Sequence, residues 1–298
     1  LDERGIARSQ ERDAAVAALV ERAGREPDRE HSLLVAKGIA PVHGEDAWFE
    51  PAAQHAAEKE PADPDRTDYR AACPWTFALA GAVLGVLHEA TPGQDGVDVT
   101  GAVVASKPGR RGAVVIDPSV RIGPGGRATA RWSGVLEVSR TGAAVERVLR
   151  IGGCVDYSTG NIECPCDVEV SQGVRDGFTL CSAGDVSVAG LVEAAHVAGR
   201  DVRLARGMAG REKGALEVAR DLQAHYIEGA TVAVGRDLGV DKEIVGCRTT
   251  VGRRVAMPGG TIIGGELIAA GRIDVMNIGS EARVPTSVVV GKIPGLET

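Results

Sequence analysis

From Gly152 onward the apolar positions fall into a short repeat. Ile162, Val168, Val174, Leu180, Val186 and Val192 recur every six residues, with polar and turn-forming residues between them. Six-residue spacing predicts a coil of three short strands, each contributing one inward aliphatic side chain. Like residues of successive coils then stack about 4.8 Å apart, the ordinary strand spacing. The turns align as NIECPCDVEV from Asn161, TLCSAGDVSV from Thr179, HVAGRDVRL from His196, ALEVARDLQA from Ala215, TVAVGRDLGV from Thr231, TTVGRRVAM from Thr249 and LIAAGRIDV from Leu267. Their marker residues, Asp167, Asp185, Asp201, Asp221, Asp237, Arg254 and Ile273, stand 16 to 20 residues apart. That period is too short for ankyrin, tetratricopeptide or propeller units and suits one turn of a parallel β-helix. The pattern therefore predicts a mainly β chain whose second part, residues 151–298, is a single-stranded parallel β-helix of about seven coils. The usual crossover preference makes it right-handed.

The first part, residues 1–150, reads as a β-rich domain with a leading helix. Residues 10–23 place Val16, Leu19, Val20 and Ala23 on one helical face with charges opposite, a stripe expected to pack on its own domain. Gly24 supplies the stop. Pro51 to Arg66 is polar, carries three prolines and reads as a loop. The apolar run Trp75 to Leu87 holds Gly81 and Gly85 at GxxxG spacing. It falls short of the roughly 18 residues of a membrane span and is expected to be buried strand and turn. From Ala90 to Arg150, short Val-rich strands alternate with turns such as Asp95-Gly96 and Pro108-Gly109.

Composition sharpens this picture. Glycine accounts for 40 of the 298 residues and aromatics for only 3%, so the core must be aliphatic, laid between many tight turns. A net charge of −7 speaks against nucleic acid or anionic lipid as the partner. Six cysteines in this length form no disulfide framework, and no basic segment followed by an apolar run opens the chain, so a cytoplasmic location is expected. Beginning at Leu1 rather than Met, the chain reads as trimmed or processed.

The string from Cys154 to Phe178, CVDYSTGNIECPCDVEVSQGVRDGF, closely resembles the entry into the solenoid of the flagellar assembly protein A family, with Val155 to Ile162 matching without a gap. Val192 to Ala195, Gly207 with Gly210, Lys213-Gly214, Tyr226-Ile227-Glu228, Ile263-Gly264-Gly265, Ile278-Gly279-Ser280 and Thr286 to Gly291 follow in the family's order. Pro41 to Asp46, Trp48-Phe49-Glu50, Asp68-Tyr69-Arg70, Thr91 to Gly96 and Lys107-Pro108-Gly109 resemble its N-terminal region. The chain departs from the pattern at Ile244 to Cys247, where many members carry a His-Ser pair, and at Pro258-Gly259-Gly260. The resemblance implies a role in bacterial flagellar assembly or its regulation through protein partners.

Candidate chemistry is sparse. The Asp column fits carboxylates accepting turn amides, and it lacks the dense nonapeptide pattern of a calcium roll. Arg200, Arg220, Arg236, Arg253 and Arg272 form a neighbouring column expected to be a solvated, partly paired ladder. Cys154, Cys164, Cys166 and Cys181 lack paired zinc-knuckle spacing, and strand alternation places Cys164-Pro165-Cys166 partly inward and partly outward. His196 and His225 show no catalytic partner, and phosphate-cradling, dinucleotide and hydrolase motifs are missing. An enzyme would need two or more of His196, His225, Glu193 and Glu228 in one pocket. No catalytic, cofactor or metal residues are therefore assigned. The longest coil, between Asp201 and Asp221, is expected to bulge as a loop whose Arg206, Met208, Arg211 and Lys213 bind a protein partner. Ser287 to Val290 before Gly291 is expected to be an open strand edge, covered by later residues, by the N-terminal module or by another subunit. The reading is thus a non-enzymatic scaffold without cofactors, and the alternative is a self-assembling cytoskeletal β-helix.

Overall fold

The computed structural model describes residues 10–34, 36–52 and 73–291. Most of the loop expected at Pro51 to Arg66, and the Asp68-Tyr69-Arg70 motif, lie outside the described residues. The N-terminal part comprises α1 (Gln10–Arg25), β1 (Trp48–Pro51), β2 (Phe77–Ala78), β3 (Val83–His88), β4 (Gly96–Val97) and β5 (Val103–Val104). It continues with β6 (Val115–Ile116), β7 (Val120–Ile122), β8 (Arg127–Ala130), β9 (Gly134–Ser139) and β10 (Gly142–Glu146). Two four-stranded sheets, ordered β1-β3-β8-β7 and β2-β9-β10-β6, share one small core. That core holds Phe49 and Leu84 from the first sheet and Leu136 and Val145 from the second. The apolar run at Trp75 to Leu87 thus becomes β2, a turn and β3, as its length predicts.

The helix departs from expectation in one respect. It forms over the predicted residues, but none of its described side chains is buried: Val20 is 67% exposed, and Val16, Leu19 and Ala23 are only partly covered. Amphipathic spacing sets which face is apolar and says nothing of what covers it.

The solenoid begins with β11 (Val148–Ile151), β12 (Ile162–Cys164), β13 (Asp167–Val170), β14 (Thr179–Ser182), β15 (Val186–Val188), β16 (His196–Gly199) and β17 (Val202–Leu204). Longer, cornering strands complete it: β18 (Met208–Val218), β19 (Leu222–Val234), β20 (Asp237–Val251), β21 (Arg254–Ala269), β22 (Ile273–Ile278) and β23 (Thr286–Val290). All pairings within this sheet are parallel.

Three inward columns run through the register. Leu149, Val168, Val186, Val202, Leu222, Leu238, Val255 and Ile273 stack on the first face. Val155, Val174, Val192, Met208, Ile227, Ile244, Ile262 and Ile278 stack on the second. Ile162, Leu180, Val197, Leu216, Val232, Thr249, Leu267 and Val288 stack on the third. The six-residue period is this triangle. There are about eight turns rather than seven, because β11 adds a coil ahead of the first repeat read from the sequence. Val255 pairs with Ile273, so Arg272, not Ile273, continues the marker column.

One member of these columns is polar. Thr249 is 1% exposed between Val232 and Leu267, and its Oγ1 has no hydrogen-bond partner. A buried unpaired hydroxyl costs about 1–3 kcal/mol. Thr249→Val, nearly the same shape, is therefore expected to raise stability by an amount in that range, read as a higher denaturant midpoint at unchanged slope.

The first solenoid coil does not end in solvent. Trp75, Phe77 and Val135 of the N-terminal part pack against the solenoid core, so the smaller unit covers that end. Among the described residues no helix is long and apolar enough to cross a membrane.

Candidate protein-interaction surface

The residues expected to form one contact loop are divided by the coil geometry. Arg206 is exposed at the corner before Gly207, whose φ of 98° is one that L side chains rarely adopt. A Cβ at Gly207 would also stand 2.2 Å from the Tyr226 carbonyl oxygen. Past this corner the chain turns inward, and Met208 is fully buried between Val192 and Ile227. Met208 therefore belongs to the core, and the expectation that it contacts a partner is corrected. The chain leaves the rod only afterwards. Ala209 pairs with Glu228 and Gly214 with Ala230, so Gly210 to Lys213 stand opposite Gly229 alone.

The extra residues form a tight exposed bulge at the next corner. Arg211 and Glu212 have φ values of 47° and 63°, left-handed conformations uncommon for residues with a side chain. Glycines make the exit and return possible. A Cβ at Gly210 would lie 2.5 Å from the Gly229 oxygen, and one at Gly214 would lie 2.6 Å from Met208 Cε. Arg211, Glu212 and Lys213 are all exposed. Arg206 and the Arg211–Lys213 bulge thus flank opposite ends of the strand segment that carries Met208.

The Asp column performs its expected turn role. Asp167 Oδ1 accepts the Asp185 amide at 2.8 Å, Asp201 accepts that of Asp221 at 3.0 Å, and Asp221 accepts that of Asp237 at 3.1 Å. Each carboxylate therefore ties its coil to the next. The Arg column pairs with it unevenly. Arg200 Nε donates to Asp185 at 2.7 Å, Arg253 Nε to Asp237 at 2.7 Å and Arg272 Nε to Asp274 at 2.6 Å. Arg220 and Arg236 stand farther off, at 3.7 and 3.9 Å from Asp201 and Asp221. Hydrogen bonds from Arg200 and Arg253 hold the Asp185 and Asp237 carboxyls below the usual carboxylate range. Such solvated pairs contribute little stability each.

The remaining candidates are scattered. His196 stands 3.4 Å from Glu217, and His225 stands 3.5 Å from Asp241 at a different corner. Glu193 accepts Arg175 at 2.8 Å, which holds its carboxyl low. One surface groove is lined by Ala198, Ala215, Ala233, Thr250 and their neighbours, and it includes none of His196, His225, Glu193 and Glu228. Cys164 and Cys166 are both buried, with Pro165 between them only partly so, which continues the alternation of the strand. A hydrogen bond to Cys166 draws the Cys164 thiol down to about 7, while the same contact pushes Cys166 up. Among the described residues no three His, Cys, Asp or Glu side chains are grouped as metal ligands.

No curated protein and no solved structure matches the chain. Two family models do. The flagellar assembly protein A N-terminal region matches residues 1–141, and the flagellar assembly protein A β-solenoid domain matches residues 147–297. With a three-sided solenoid capped by a small β domain, and with both models covering nearly all of its length, the chain belongs to the flagellar assembly protein A family.

Proposed function

We propose that this protein acts in flagellar assembly as a non-enzymatic, cytoplasmic scaffold, presenting the corners of its solenoid to protein partners. The observation that carries this reading is where the irregularity lies. The interior columns continue without interruption, whereas the surface departs from the repeat at several corners, and the departure at Gly210 to Lys213 is an exposed bulge with left-handed Arg211 and Glu212 and with two cations, Arg211 and Lys213. A left-handed Arg–Glu pair is costly to hold, and backbone strain of this kind is concentrated at functional positions. Arg206 adds a third cation at the neighbouring corner, which suits an acidic protein surface. The cytoskeletal alternative needs two bare ends for polymerisation, and the packing of Trp75, Phe77 and Val135 on the first coil counts against it.

The test is complementation of a deletion strain of the source organism. The unaltered gene should restore flagella, and a variant carrying Arg206→Ala, Arg211→Ala and Lys213→Ala should accumulate to the same level yet restore few or none. Full restoration by that variant would remove these corners from the account. Normal flagellation of the deletion strain itself would remove the flagellar reading.

A further inference from the structure

Cys164 is the last residue of β12 and Cys166 the residue before β13, so the pair straddles the corner at Pro165, where the chain passes from the third face to the first. Both side chains are inward, at 7% and 4% exposure. On one flat strand, inward residues two apart stand about 6.7 Å from each other. At a corner the two faces lean together, and inward side chains on either side of it converge. Cys164 Sγ accordingly donates to the Cys166 carbonyl oxygen at 3.4 Å, and the two thiols are close enough to set each other's ionisation.

The next coil fits over this corner. Ser182 pairs with Cys164, and its hydroxyl donates to the same Cys166 oxygen at 2.6 Å. Gly184 stands over Cys166, where an added Cβ would lie 2.9 Å from the Cys166 carbonyl carbon. The corner therefore keeps its shape without the Cys164 hydrogen bond. The Ser182 hydroxyl satisfies that carbonyl, and Pro165 has no amide to leave unpaired.

A buried structural thiol is ordinarily inert. Here contact with Cys166 draws the Cys164 thiol down to about 7, the same contact pushes Cys166 up, and burial pushes Cys181 and Cys247 up. Cys164 is thus the nucleophile of this set, and Cys166 is the protonated thiol beside it. Cys181 does not take that place, since strand alternation sets it in the outward row, in register with Glu163.

From this geometry we infer that Cys164 and Cys166 are a reversible redox pair, closed to a disulfide by a small uncharged peroxide. With exposures this low the oxidant must be scarcely larger than water, and hydrogen peroxide meets that requirement. In the first step the Cys164 thiolate sulfur attacks one peroxide oxygen and the O–O bond breaks. The departing hydroxide takes a proton from solvent, leaving a sulfenic acid and one water. In the second step the Cys166 sulfur attacks the Cys164 sulfur, the S–O bond breaks, and the hydroxide leaves with the Cys166 proton as a second water. The two thiols give up two electrons, and the peroxide is reduced to water. Two equivalents of a small-molecule thiol reverse the change.

The test uses the reduced full chain, freed of reductant, exposed to hydrogen peroxide, then denatured, alkylated and weighed. Four of its six cysteines should take the label, and all six after dithiothreitol. The tryptic peptide Ile151–Arg175 of the unaltered chain should carry one label, on Cys154, and be lighter by the two hydrogens lost from Cys164 and Cys166. Cys164→Ser should slow the loss of labelled thiols at least about 100-fold, because no thiolate remains at the corner. Cys166→Ser should halt Cys164 at the sulfenic acid, trapped by dimedone, a signature that a merely structural cysteine would not give. Cys154→Ser and Cys181→Ser should still close the bridge within about twofold of the original rate. Six labels after peroxide would overturn the inference. So would a bridge from Cys164 to Cys154 or Cys181, or undiminished oxidation of the Cys164→Ser variant.

Discussion

Met208→Ala is expected to destabilise the solenoid by about 2–5 kcal/mol, the usual cost of emptying a buried Met or Leu site. Met208 is fully buried, stacked between Val192 and Ile227, and its Cε lies against the space that Gly214 leaves open. The cavity cannot collapse easily, because the columns above and below are fixed by inter-coil hydrogen bonds such as Ala209 N to Val192 O at 2.8 Å. Arg206→Ala and Lys213→Ala, close by in sequence but exposed, should each change stability by less than about 0.5 kcal/mol. Urea titration of the three variants checks this. A near-neutral Met208→Ala would place that side chain outside the core.

A second large effect is expected from a single added methyl group. Gly252→Ala would set a Cβ 2.1 Å from the Gly235 carbonyl oxygen, and Gly235 itself sits as closely over the Ala219 oxygen. A carbonyl oxygen at that distance must move. It belongs to backbone paired on both sides, so the strain spreads over adjacent coils and the loss should exceed about 2 kcal/mol. Gly152→Ala is the matched control, since a Cβ there meets nothing within 4 Å and its φ is not among the positive ones. There the smaller entropy of the unfolded chain should make the change neutral or stabilising by about 0.4–1 kcal/mol. Thermal unfolding of the two variants side by side measures the contrast.

The solenoid was legible because its core obeys arithmetic. Ile162, Val168 and Val174 face inward at equal spacing, and a period of six admits few other architectures. Legibility failed where the count slips. Val192 and Met208 are consecutive members of one column but 16 residues apart, whereas Val174 and Val192 are 18 apart. With Arg206, Arg211 and Lys213 around it, Met208 resembled loop sequence, although the segment is two corners with an inward strand between them. The last marker, read as Ile273, belongs one residue earlier at Arg272. The coil opened by β11 lies ahead of Gly152, where the sequence pattern places the start of the repeat.

What covers a surface was harder to read than which surface is apolar. Val16, Leu19, Val20 and Ala23 define a stripe correctly, yet the stripe carries no record of its partner, and the structure leaves Val20 exposed and the other three only partly buried. The reverse holds for Trp75 and Phe77, which looked like ordinary strand residues and prove to cap the solenoid. Such contacts join segments more than 70 residues apart, so no local pattern announces them. The Asp column was readable in sequence as a turn device, and the carboxylate-to-amide ties at Asp167, Asp201 and Asp221 bear this out.

The central claim is that the chain passes inward at Met208 and leaves the rod only at the following bulge. Amide hydrogen exchange across residues 205–215 of the full chain tests it most directly. Slow exchange is expected at Ala209 and Ala215, whose amides donate to Val192 and Ala195, with an island of fast exchange at Arg211 to Lys213 between them. Fast exchange throughout Ala205 to Gly214 would contradict the three-sided core at this coil.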